Sequence, residues 1–152
     1  MKKVAILMGS ETDRPAMEAA LLYLDHFQVP YEVNILSAHR NPEQVAQFAA
    51  GARENGFGVL IAGAGMAAHL AGAVKAHSTL PVIGVPLPGG VADGLDALLS
   101  TVQMPRGVPV ATVSVGKAGA INAAVLAVEI LALDDPALHE RLEQFRSRGA
   151  KL

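Results

Sequence analysis

The sequence predicts a three-layer α/β domain, flavodoxin-like or Rossmann-like, with a five-stranded parallel sheet and helices on both faces. Three observations carry that expectation. Five short aliphatic and β-branched runs recur along the 152 residues, most of them continuous rather than alternating, as strands covered on both faces require. Stretches of helical period lie between them. The runs begin at residues 4, 31, 58, 81 and 110, a spacing of 23 to 29 residues that suits strand–helix–strand units with right-handed crossovers.

Each element has its own warrant. "VAILM" (4–8) is the first strand, and "RPAMEAALLYLDHF" (14–27) the first helix, with Asp13 as candidate cap and Pro15 near its start. "YEVNIL" (31–36) is the second strand. "PEQVAQFAAGARENG" (42–56) reads as a helix with Asn41 at the N-cap, Pro42 at the first helical position and Gln44 three residues after the cap. Asn55-Gly56 is its stop. "GVLIAG" (58–63) is followed by a helix over 67–78, "PVIGVP" (81–86) by a helix over 94–102, and "VATVSV" (110–115) by "AINAAVLAVEILAL" (120–133). A last helix runs from about residue 135. With no linker or low-complexity tract, residues 1–152 read as a single domain.

Composition narrows the function classes. Formal net charge is −2 with no basic run, which argues against a nucleic-acid groove or an anionic membrane surface. The absence of cysteine excludes disulfides, thiolate metal sites and a cysteine nucleophile. The apolar run after Lys2-Lys3 ends too soon for a secretory signal, so the expected location is the cytoplasm. Half the residues are hydrophobic, and residues 120–133 are apolar on nearly every face, which leads us to expect cover from another subunit.

In an open parallel sheet, ligands bind outside the carboxyl ends of the strands, so the loops after each run hold the chemistry. "GSETD" (9–13) offers Ser10, Thr12 and Asp13 before a helix: hydroxyls and amides for a phosphate, a carboxylate for ribose hydroxyls, or simple capping. "SAHRN" (37–41) sets Ser37, His39 and Arg40 before the helix starting at Pro42. Arginine and a helix N-terminus both favour an anion, and a histidine beside them can carry a proton near neutral pH. The alternative there is a solvated loop. "AGAGMAAH" (62–69) contains Gly63-x-Gly65-x-x-Ala68. That is a weak dinucleotide fingerprint, since it follows the third strand and no acidic residue ends the next one. Small residues could instead let the backbone approach a carboxylate or a trapped gas molecule. His69 lies about one turn into the helix there, as a ligand or as a hydrogen-bonded structural group. "PLPGGVADG" (86–94) and "GKAGA" (116–120) complete the set, with Lys117 read as solvated. His26, His77 and His139 have no partner at metal spacing, so no metal site is expected.

Together, "MGSETD", "SAHRNP", "AGAGMAAHLAG" and "QMPRGVPVATVSVGKAGAINAAVLA" resemble the aminoimidazole ribonucleotide carboxylase family, in its class I, mutase form, over about residues 3–133. The resemblance implies a flavodoxin-like subunit, a homo-octamer, and no metal or organic cofactor. It implies an isomerase of purine biosynthesis that moves a carboxylate from an exocyclic nitrogen to a ring carbon of an aminoimidazole ribonucleotide. Carried onto this chain, it implies substrate contacts at Ser10 and Asp13, with Asp13 toward ribose, and phosphate contacts at Ser37 and Arg40. It implies that His39 is the general acid/base, that Ala64 and Gly65 hold the carboxylate, and that His69 is a second active-site histidine. Class II members, which use free carbon dioxide, usually carry Ala-His-Lys and lack the Ala-Ala-His-Leu segment, so Arg40 and His69 favour class I. Departures are Thr12 for a second Ser, Met66 where Gly is usual, Ala71 where Pro is frequent, and the glycine-rich 86–94 loop. The competing readings are a class II-type carboxylase, a non-catalytic nucleotide- or flavin-binding module, and a nicotinamide-dependent enzyme.

Overall fold

The computed structural model describes residues 1–152. Five strands, β1 (Lys3–Met8), β2 (Tyr31–Ile35), β3 (Phe57–Gly65), β4 (Val82–Leu87) and β5 (Ala111–Thr112), alternate with α1 (Arg14–His26), α2 (Pro42–Gly51), α3 (Leu70–His77), α4 (Leu95–Val102) and α5 (Lys117–Ala132). α6 (Pro136–Ser147) closes the chain. All pairings are parallel, in the order β2-β1-β3-β4-β5. The connection reverses direction between β1 and β3, which is where such a sheet opens a crevice.

The continuous apolar runs have the expected meaning. Val4 to Met8 are buried, and so is all of β4. One face of the sheet packs against α1, α5 and α6 through Val4, Ile6, Met17, Leu24, Phe27, Ala124 and Leu138. The other packs against α2 and α3 through Ala5, Leu7, Val45, Leu60, Leu70 and Val74. α4 joins that second face, where Gly84 leaves the space that the Thr101 methyl fills. α6 docks through Phe145, whose ring meets Phe27 and Tyr23 edge-on at centroid separations of 5.1 and 5.9 Å.

Several boundaries differ from expectation. β5 is two residues long rather than six, because only Ala111 and Thr112 pair in register at this edge. α2 ends at Gly51, and residues 52–56 form turns that stop at Gly56, φ +84°. α3 starts at Leu70, so His69 precedes the helix instead of lying inside it. The expected caps are used otherwise. Asp13 makes no cap bond to α1; its Oδ2 accepts from Ser10 N–H. Asn41 makes no cap bond to α2, and its Oδ1 accepts from Ser37 N–H at 3.3 Å. α5 begins at Lys117, and its apolar faces are largely covered within the chain by α1 and α6, with Ile121, Val125 and Leu126 left half-buried.

Candidate active site

The carboxyl ends of β1, β2, β3 and β4 surround a cleft of about 490 Å³. All eight residues singled out from the sequence line it: Ser10, Asp13, Ser37, His39, Arg40, Ala64, Gly65 and His69. The topology explains the convergence. β1 and β3 are neighbours and β2 flanks β1, so loops far apart in sequence open on one edge.

The first loop is a 3-10 turn over Glu11–Asp13, closed on itself. Ser10 Oγ accepts from the Thr12 amide at 3.2 Å and the Thr12 hydroxyl at 3.0 Å, while Asp13 Oδ2 accepts from Ser10 N–H at 3.1 Å. Ser10 and Asp13 therefore cap the loop's own backbone while also lining the cleft. Burial pushes the Asp13 carboxyl above its usual range, and the backbone N–H groups of Ser10 and Gly9 partly oppose that. A half-buried carboxylate with free oxygen valences is suited to accept hydroxyl hydrogen bonds. Next to it, Arg14 forms a two-point pair with Glu11 at 2.6 and 2.9 Å, which holds Glu11 below the usual carboxylate range. Those two charges satisfy each other outside the cleft.

The second loop is held by a reciprocal pair. Asn41 N–H donates to Ser37 O at 2.8 Å, and Ser37 N–H donates to Asn41 Oδ1. Ser37 Oγ accepts from Arg40 N–H at 3.2 Å. This geometry leaves the Arg40 side chain exposed without a carboxylate partner, as the one Arg or Lys among the residues lining the cleft. α2 begins two residues later, with its amide-rich end on the same edge.

The third loop supplies the contact that no spacing announces. His39 Nε2 lies 2.7 Å from His69 Nδ1, with the rings at 85°. One nitrogen donates and the other accepts, so the pair shares one N–H across the contact. The Gly-x-Gly segment does not act as a dinucleotide loop. Gly63 is inside β3, and a Cβ there would stand 2.4 Å from Met17 Sδ, so this glycine serves the packing of α1 on the sheet. Gly65 ends the strand in register with Leu87. Met66 then turns the chain at φ +56° with its side chain largely exposed. Pro88 and Gly89 complete the rim. Lys117 is exposed and stands apart from the cleft, as expected of a solvated lysine.

Fold and cleft together define a flavodoxin-like α/β protein whose switch-point crevice carries a histidine pair, a lone arginine and a half-buried carboxylate. The chain matches the AIR carboxylase family model over residues 3–151 and belongs to that family. It is 50% identical over 144 residues to the N5-carboxyaminoimidazole ribonucleotide mutase of Escherichia coli strain K12, spanning 95% of this chain and 85% of that one. It is 54% identical over 148 residues to the mutase of the same name from Mycobacterium tuberculosis strain H37Rv, spanning 97% and 84%. Among solved structures, a crystal structure of Treponema denticola PurE superposes with a TM-score of 0.85 at 29% identity, covering 97% of this chain and 90% of that one.

Proposed function

We propose that this chain is an N5-carboxyaminoimidazole ribonucleotide mutase of purine biosynthesis, an isomerase that works without a metal or organic cofactor. The observation that carries the reading is the His39–His69 contact beside Arg40 in the switch-point cleft. In this reading Arg40, Ser37 and the start of α2 bind the phosphate, Asp13 and Ser10 face the ribose, and the backbone at Ala64 and Gly65 holds the carboxylate.

The chemistry asks little more. Breaking the bond between the exocyclic nitrogen and the carboxyl carbon releases carbon dioxide, and that nitrogen takes up one proton. The electron-rich ring carbon then attacks the carbon dioxide and gives up one proton. The two proton events cancel, so a single acid/base group can give a proton and take one back. His39 fills that role here, with His69 as its partner. Retaining carbon dioxide in the cleft makes the second step intramolecular in effect.

The test is to add freshly made N5-carboxyaminoimidazole ribonucleotide to the protein without ATP, metal or bicarbonate, and follow the ultraviolet absorbance of the ring carboxylate. Fast product formation supports the mutase. Turnover only with aminoimidazole ribonucleotide and bicarbonate replaces it by a carboxylase that uses free carbon dioxide. Nucleotide binding without turnover leaves a binding module. We further propose a cytoplasmic homo-octamer. The exposed apolar residues Leu95, Leu99 and Val102 on α4, and the half-buried groove along α5, support association. No helix is long and apolar enough to cross a membrane.

A further inference from the structure

Ser100 stands on α4, outside the cleft lining, yet its hydroxyl reaches the turn that delivers His69. The Ala68 N–H donates to Ser100 Oγ at 2.9 Å, and Ser100 Oγ donates to the Asp96 carbonyl one helical turn back at 2.7 Å. The Met66 and Ala97 carbonyls lie 3.3 Å from the same oxygen. Ala68 is 1% exposed, so water cannot replace that acceptor.

The turn itself has little else to fix it. It begins at Met66 in the left-handed region, and its backbone bonds are a short closure from His69 N–H to Ala67 O at 2.8 Å and, on the helix side, Ala73 N–H to His69 O at 2.9 Å. Apart from the His39–His69 contact, Ser100 is the only side chain that bonds residues 66–69. The anchored amide belongs to the residue immediately before His69. Displacing it would tilt His69 Nδ1 away from His39 Nε2, and a hydrogen bond of 2.7 Å tolerates little displacement.

We propose that Ser100 is a positioning residue: by anchoring Ala68 it holds His69 against His39 for proton transfer. The inference rests on the mutase reading above. α4 supplies its own control. Thr101, the next residue, makes the same back-bond to Ala97 O at 2.7 Å but faces β4 and touches nothing in the cleft.

The experiment compares Ser100→Ala, Ser100→Thr and Thr101→Val with the unaltered protein, in the mutase assay and by nitrogen-15 NMR of the histidine rings. Ser100→Ala should lower kcat about 10- to 100-fold while KM stays within about twofold, because the phosphate and ribose contacts are untouched. Ser100→Thr keeps the hydroxyl and should restore most of kcat. Thr101→Val should lower the melting temperature and leave kcat unchanged. The ring signals of the hydrogen-bonded pair should change in Ser100→Ala alone. If Ser100→Ala does not fold, Ser100→Cys, a weaker acceptor, should give an intermediate loss. Wild-type kcat with unchanged ring signals in Ser100→Ala overturns the proposal, as does an equal loss of kcat in Thr101→Val. An unaltered protein that shows no turnover defeats the mutase reading, while the ring signals still decide whether Ser100 holds the pair.

Discussion

At the scale of single residues, His39 and Asp13 make opposite demands. His39 is exposed and supports nothing in the core; its one side-chain partner is His69, so its replacement removes the proton carrier and that single contact without disturbing core packing. His39→Asn should lower kcat by about 10²- to 10⁴-fold and leave nucleotide affinity nearly unchanged, as stopped assays and calorimetry would show. Asp13 is half-buried, and its carboxyl is raised by desolvation. The folded state therefore binds a proton more readily there than the unfolded chain does. Its contribution to stability is present below the ordinary carboxylate pKa and is lost as pH rises through the folded value. Asp13→Asn keeps an acceptor for Ser10 N–H but carries no charge. It should flatten that part of the stability–pH curve and match or exceed the unaltered protein's melting temperature at pH 7, while substrate affinity falls. A melting temperature at pH 7 clearly below that of the unaltered protein would contradict the argument.

At the scale of elements, the β3–α3 turn is where sequence reasoning and structure part. The strand–helix alternation was legible because continuous Val, Ile and Leu runs have few other uses in a short chain. The site loops were legible because they follow such runs. Their internal geometry was not. Helical propensity across Ala67-Ala68-His69 favours a helix starting there, but tertiary bonds from α4 win and leave His69 ahead of it. The caps at Asp13 and Asn41 failed for a related reason: their oxygens accept from Ser10 and Ser37, within the same loops. Ser100 carries no local signal, since a serine bonded one turn back looks the same wherever it points. Met66 gives this turn a test. A side chain at φ +56° costs about 1–2 kcal/mol, and glycine avoids most of that. Met66→Gly should therefore raise stability by about 0.5–1 kcal/mol, a few degrees in a melting scan, net of the entropy that glycine adds to the unfolded chain. Gly63→Ala should act oppositely, costing about 1–3 kcal/mol by chemical denaturation, because Met17 is fully buried and has nowhere to retreat.

At the scale of the whole molecule, the proposed assembly and the division of labour along the chain can both be tested. Light scattering should give a mass near eight times 15.7 kDa, and a monomer would refute the octamer. The cleft draws on residues 9 to 89, and the rest of the chain contributes α4, β5 and the α5–α6 cover that props the sheet. The edge-on packing of Tyr23 against Phe145 has a use in this respect. The chain has no tryptophan and only two tyrosines, one at this α1–α6 junction and the other at the start of β2. Its intrinsic emission therefore reports the docking of the last helix and the sheet's outer edge, and it is dark to the cleft. A single tryptophan introduced at the exposed rim, as in Ala67→Trp, would be an optical reporter of ligand arrival with no other tryptophan emission to subtract.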